Sequence, residues 1–296
     1  MWSTLTKQIS ATTNSTFKLR HRHSVGSGCI NSAYVIEGED SRKYFVKLND
    51  ASKASMFEAE AAGLREIGQT QTILAPEPVC WGTADDAAYL VQEYLDLRGS
   101  DSPTSMEKLG RKIAQMHRVT ATTGQYGWHT NNTIGSTPQI NTRADNWPAF
   151  WREQRLGFQL QLAARHGYGG ALQRKGERLL ADIPAFFAAY TPTPSLLHGD
   201  LWSGNYGVLA SGDPVIFDPA VYYGDRETDM AMTELFGGFS TAFYHAYNDA
   251  YPLDSGYRIR KTLYNLYHIL NHLNLFGGAY LSQAERMMDA LLSEIR

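Results

Sequence analysis

Over most of the first ninety positions apolar residues alternate with polar ones or gather in short runs. Residues 17–25, 33–37, 43–48, 79–82 and 88–93 each read as a β-strand. Gly38-Glu39-Asp40 has the polar chemistry of a hairpin turn between the second and third strands. Residues 52–67 break the alternation; they are rich in Ala, Glu, Met and Leu, lack Pro, and predict a helix. Beyond Tyr94 the period changes. Pro103 stands where a helix can start, and residues 106–119 place Leu109, Ile113, Met116 and His117 on one face. Residues 120–146, rich in Thr, Asn, Gly and Gln, read as a long irregular segment. Residues 147–165 and 170–190 predict helices, as does the stretch from Thr228 onward, with breaks near Gly237-Gly238, Pro252 and Gly277-Gly278. The expected class is α+β: an antiparallel-sheet lobe with one helix over 1–93, then a mostly helical lobe over 94–296.

Composition adds limits. The chain has 296 residues, is 43% hydrophobic and 19% charged, and has a formal net charge of −3, as in an ordinary globular protein. That balance gives no reason to expect a nucleic-acid or anionic-membrane partner. Two cysteines, Cys29 and Cys80, build no disulfide framework, which suits a reducing cytosol. The first ten residues lack the apolar core of a signal peptide, and no run reaches the roughly 18 apolar residues of a membrane span. A cytoplasmic protein is expected.

Six features follow one another in a telling order. Gly26 and Gly28 lie in a turn between two strands, Lys47 in the third strand, and Glu58 or Glu60 on the helix after it. Gln92-Glu93-Tyr94-Leu95 forms a hinge-like connector; His198-Gly199-Asp200-Leu201-Trp202-Ser203-Gly204-Asn205 and Asp218-Pro219-Ala220 follow. Phosphoryl transfer from ATP needs such parts: small residues that let backbone N–H groups approach phosphate, a Lys that reaches its oxygens, and a carboxylate that holds the Lys. It also needs an Asp to accept the proton of the attacking hydroxyl and hard oxygen ligands for Mg²⁺. Asp200 and Asn205 have the spacing of H-R-D-x-x-x-x-N, with Gly199 in place of Arg, and a strand over 214–217 ends at Asp218. The third glycine of G-x-G-x-x-G is replaced by Asn31.

Tyr44-Phe45-Val46-Lys47, Met56-Phe57-Glu58-Ala59-Glu60, His198 to Asn205, and Tyr222-Tyr223-Gly224-Asp225-Arg226-Glu227-Thr228-Asp229 together resemble the fructosamine kinase (ketosamine-3-kinase) family. So do Ile134-Gly135-Ser136-Thr137-Pro138-Gln139 and Arg155-Leu156-Gly157-Phe158-Gln159-Leu160. The resemblance implies a bilobal protein-kinase-like fold and ATP-dependent phosphorylation of the 3-hydroxyl of ketosamines, free or on protein lysines, an activity associated with deglycation. It implies Asp200 as catalytic base, Asn205 and Asp218 on Mg²⁺, Lys47 on the α- and β-phosphates, and Glu60 rather than Glu58 as its partner. Residues Gln92, Glu93, Tyr94 and Leu95 would hold adenine through backbone groups. Only ten residues separate Asp218 from Asp229 and no Ala-Pro-Glu follows, so a protein-kinase activation loop does not fit.

Other residues carry weaker expectations. Trp202, two positions past Asp200, and Asp225 are substrate-side candidates, and Trp147 and Trp151 are core residues unless they form a sugar platform. His117 reads as an interior histidine, His198 as a group that orients its own loop, and Glu227 and Asp229 as bracing at a helix start. Cys29, inside the phosphate loop, is a candidate redox site. The rivals are the same fold acting on an aminoglycoside or choline-like acceptor, and a catalytically silent ATP-binding protein. The oligomeric state is open.

Overall fold

The computed structural model describes residues 1–27 and 30–295, so Gly28 and Cys29 lie outside the described residues. In chain order the elements are α1 (Trp2–Thr12), β1 (Leu19–Ser27), β2 (Ser32–Gly38), β3 (Lys43–Asp50), α2 (Ala54–Gln69), β4 (Pro78–Ala84), β5 (Ala87–Glu93) and α3 (Pro103–His117). Next come β6 (Asn132–Ile134), β7 (Thr137–Gln139), α4 (Trp147–Phe150), α5 (Phe158–Arg165), α6 (Ala171–Asp182), β8 (Ser195–Leu197), β9 (Tyr206–Val208), β10 (Pro214–Ile216) and β11 (Tyr222–Gly224). Four helices close the chain: α7 (Glu227–Leu235), α8 (Thr241–Ala250), α9 (Tyr257–Phe276) and α10 (Leu281–Glu294). Among the described residues no helix is long and apolar enough to cross a membrane.

By packing, the chain divides into two units, Met1–Leu109 with Tyr206–Pro219, and Gly110–Asn205 with Ala220–Arg296. The sequence boundary after Glu93 falls inside the first unit. The reason is local: Gly99 donates to the Val208 carbonyl at 2.8 Å, and Ile216 donates to Leu74 at 3.0 Å. Both bonds draw the connector and the β9–β10 hairpin into the first unit.

The first unit is built on an antiparallel sheet in the order β1-β2-β3-β5-β4. The strand period of two splits β3 cleanly. Tyr44, Val46 and Leu48 join Tyr89 and Val91 of β5 in a core with Leu5 and Ile9 of α1. On the other face Ala88 and Leu90 pack with Met56, Phe57 and Ala61 of α2. Lys47, in register with Leu90, therefore points to the α2 side. The sheet lobe carries two α-helices, where the sequence predicts one. The apolar stripe of α1 has only two fully buried members, four residues apart, too short to stand out from its polar company.

The second unit is mostly helical. Gly237, Gly238 and Gly277 have φ of 89°, 73° and 91°, so the predicted breaks fall at left-handed positions that glycine adopts without strain. Residues 120–146 are less irregular than their composition suggests, since β6 and β7 pair as a hairpin within them. The predicted helix over 147–165 is interrupted by π-helix from Trp151 to Gly157. Trp147, Trp151 and Phe150 are each 1% exposed and fill the core around Tyr264, which excludes the first two as a sugar platform.

His268 on α9 is buried, and burial pushes its imidazole down to about 3, with His272 adding to the shift. Its folded value lies below the ordinary unfolded one of about 6.5. The stability that the neutral ring contributes is therefore complete above that value and is lost as pH falls through it. By pH 5 the loss is ~2 kcal/mol. Urea midpoints at pH 7 and pH 5 for the wild type and His268→Gln check this: the wild type loses more, and equal losses exclude His268 as the titrating group.

Candidate active site

Lys47 leaves the middle of β3 and is 5% exposed. Its ammonium pairs with Glu60 of α2 and with Asp218, at 2.5 Å from the latter. Glu60 lies one turn after Met56 and one before Leu64, both buried, so helical spacing puts it on the inward stripe; Glu58 is exposed. Burial alone would lower the Lys47 pKa, but the carboxylates of Asp218 and Glu60 outweigh it and raise it. Burial also pushes the Glu60 carboxyl up, against the pull of Lys47. Asp218 follows β10 with φ of 57°, a left-handed conformation that costs a residue with a Cβ of order 1–3 kcal/mol. Pro219 follows it directly. One Asp218 oxygen takes Lys47, and Oδ2 has no partner among the described residues, leaving a partly exposed hard oxygen donor.

The hinge run is only partly free. Gln92 and Glu93 end β5, and the Glu93 N–H donates to the Glu77 carbonyl at 2.8 Å. Gln92 is 4% exposed and its Oε1 is buried without a hydrogen-bond partner among the described residues. Tyr94 stands 5.8 Å from the Lys43 ammonium, which faces its ring. Gly26 falls within β1 rather than in a turn.

In the second unit, Asp200 stands on a loop held by its own backbone. The Asp229 carboxylate accepts the N–H groups of His198 at 2.7 Å and Gly199 at 2.8 Å. His117 reaches the same carboxylate at 3.1 Å through Nε2, and its Nδ1 meets the Tyr247 hydroxyl at 2.8 Å. Burial would raise the Asp229 pKa, yet His117 and these N–H donors lower it, so the bracing charge persists. Gly199 has φ of 82°, and a Cβ there would lie 2.1 Å from the Ala220 carbonyl oxygen, so no larger residue fits. The Asp200 N–H donates to His198 Nδ1 at 3.2 Å, the loop-orienting contact expected of His198. Asn205 donates Nδ2 to the Asp200 carbonyl at 2.8 Å and to its carboxylate at 3.0 Å. That spends the amide nitrogen and leaves Oδ1 as an oxygen donor, the chemistry a hard cation needs.

Trp202 is 37% exposed and packs edge-on against Phe236, with centroids 6.3 Å apart; Phe236 in turn packs on His272 at 4.8 Å. Asp225 corrects its sequence assignment. It is fully buried, its two oxygens take the hydroxyls of Tyr190 at 3.0 Å and Tyr264 at 2.5 Å, and Oδ1 also accepts the Glu227 N–H. With no exposed carboxylate it cannot meet a substrate, and it braces the start of α7. Beside it Glu227 pairs with Arg260, itself paired with Asp254.

The fructosamine kinase family profile matches residues 1–294. A protein named probable ketoamine kinase from Synechocystis is 48% identical, over 98% of this chain and 97% of its own length. The chloroplastic protein-ribulosamine 3-kinase of Arabidopsis thaliana is 43% identical over 92% of this chain and 83% of its own. A crystal structure from Haemophilus somnus named for fructosamine-3-kinase superposes with a TM-score of 0.90 at 30% identity, covering 99% of this chain and 98% of the other. An aminoglycoside phosphotransferase structure, with a TM-score of 0.61 and 13% identity over 98% of both chains, shares the fold.

Proposed function

The chain belongs to the fructosamine kinase family and is a kinase, and we propose that it transfers the γ-phosphoryl group of ATP to the 3-hydroxyl of a ketosamine. The observation that carries this reading is the buried Lys47 ammonium held by Glu60 and Asp218. Outside phosphate chemistry a cation so deeply placed between two acids has little reason to face the apolar side of a sheet.

In this reading Lys47 binds the α- and β-phosphates, and Glu60 keeps it in place. Gly26 and Gly28 let the backbone approach the phosphates, and the backbone over Gln92, Glu93, Tyr94 and Leu95 takes the adenine. Asn205 Oδ1 and Asp218 Oδ2 fit as ligands of Mg²⁺, which when bound spreads the phosphate charge. Asp200 accepts the proton of the attacking hydroxyl, with its carboxylate aimed by Asn205. Trp202 offers an aromatic face to the acceptor. The sheet-built unit, which extends past the sequence boundary at 93, serves the nucleotide, and the mostly helical unit serves the acceptor and catalysis. Phosphorylation destabilises the adduct, which makes deglycation in the cytoplasm the corresponding role, on free adducts or on glycated protein lysines.

ATP consumption is measured over fructosyl-lysine, ribulosyl-lysine, erythrulosyl-lysine, kanamycin and choline. Turnover is expected on one or more ketosamines. Turnover on kanamycin or choline alone overturns the acceptor and keeps the phosphotransferase. ATP binding without consumption on any acceptor points instead to a silent nucleotide-binding protein.

A further inference from the structure

The two family-like runs at 134–139 and 155–160 have no part in phosphate or metal chemistry, yet they bury polar side chains. Gln139 and Asn141 are each 1% exposed and Arg155 is 0% exposed. Among the described residues Arg155 meets no carboxylate. Its guanidinium lies 4.2 Å from the Tyr222 ring centroid and 4.6 Å from that of Phe150, and it donates to the Ile140 carbonyl and, at 2.8 Å, to Asn141 Oδ1. Asn141 donates to Asn132 Oδ1 at 2.9 Å, and Gln139, opposite Asn132 in the hairpin, donates to the same oxygen at 2.9 Å. Tyr267 of α9 donates its hydroxyl to Gln139 Oε1 at 2.8 Å.

All of this converges on the backbone of Ala220 and Val221. Gln139 Nε2 donates to the Ala220 carbonyl at 3.0 Å, and Asn132 Nδ2 to the Val221 carbonyl at 2.8 Å. The Ala220 N–H donates to the His198 carbonyl at 2.8 Å, and the Ala220 carbonyl is the group that forbids a Cβ on Gly199. Ala220 is thus fixed on one side by the hairpin and on the other lies against the backbone that carries Asp200. A buried network of amides and a guanidinium that meets no carboxylate is expensive to desolvate and holds one arrangement only when nearly all its members are hydrogen-bonded.

We propose that the β6–β7 hairpin is a positioning device for the catalytic loop, with Gln139 as its positioning residue. Its carboxamide clamps Ala220, Ala220 holds the His198 carbonyl, and Asp200 two residues on is aimed as a result. The inference rests on the assignment of Asp200 to catalysis. Misplacement of a reacting group by about 1 Å can cost on the order of 10²-fold in rate.

The test uses Gln139→Met, which keeps the bulk and removes the clamp, and Tyr267→Phe, which removes only the hydroxyl that orients Gln139. Amide hydrogen exchange is followed over 196–205 and 219–224, with kcat and both KM values. In Gln139→Met, exchange in those two segments is expected to rise about 10-fold or more, with α9 and α10 unchanged. With it kcat should fall about 10- to 100-fold, at KM values for ATP and acceptor within about 3-fold of wild type. Tyr267→Phe should give a smaller fall of the same pattern, and it carries the test where Gln139→Met does not fold. Local exchange that rises with kcat unchanged overturns the proposal, as does exchange that rises uniformly along the chain. If the wild type turns over no ketosamine, the functional reading fails, and the exchange result still decides whether Gln139 clamps the loop.

Discussion

Asp200→Asn lowers kcat on a ketosamine by about 10²- to 10⁴-fold while the protein stays folded. The substitution keeps size and shape, so the loop that Asp229 braces from behind is untouched. In the proposed reading, what changes is the group that faces the acceptor. A carboxylate can take the hydroxyl proton as the bond to phosphorus forms; a carboxamide cannot. Asn205 Nδ2 now donates to the carboxylate at 3.0 Å, and it meets the carboxamide oxygen in the variant, so KM for ATP should stay within about 3-fold. Initial rates at saturating ATP, with circular dichroism to confirm folding, measure the effect. A fall in kcat of less than about 10-fold would remove Asp200 as the base, because general-base assistance alone is worth more than that.

The sequence makes legible what is local. The periods of two and 3.6 mark the sheet strands and most helices, and the spacings from Asp200 to Asn205 and on to Asp218 mark the residues to which the proposed chemistry is assigned. The choice of Glu60 over Glu58 comes from the family resemblance, and the structure agrees with it: Met56 and Leu64, one turn to either side of Glu60, are buried, and Glu60 pairs with Lys47. What stays hidden depends on residues far apart in the chain. Asp229 reads as helix-start bracing, yet its partners are His198 and Gly199, some thirty residues earlier, and His117, 112 residues away. Asp225 shares a motif with Asp229 and is buried as deeply, but it braces different groups, because Tyr190 and Tyr264 close over it. No period separates the two. The β6–β7 hairpin is hidden for another reason: its strands have three residues each and hold polar groups inside, so hydrophobic alternation cannot reveal them.

Lys47→Met should abolish most activity and destabilise the protein as well, and a second substitution separates the two effects. Removing the ammonium leaves Glu60 buried beside Asp218 without its counter-charge. Breaking a buried pair from one side costs about 3–5 kcal/mol, and the partial exposure of both acids puts this one at or below the lower end. Burial already raises the Glu60 carboxyl, and without Lys47 it rises further, so the folded variant holds a proton that the unfolded chain releases. A carboxyl raised in the folded state favours folding below its unfolded value, near 4.3, and that contribution is lost as pH rises toward the folded value. Lys47→Met should therefore lose more stability at pH 8 than at pH 5, relative to wild type, in urea titrations of the apo protein. Adding Glu60→Leu removes the stranded carboxylate and should recover most of the stability. It restores no phosphate ligand, so kcat/KM for ATP should remain about 10²- to 10³-fold down in both variants. Turnover that returns along with stability in the double variant would make Lys47 a structural cation, and the phosphate role would pass to another group.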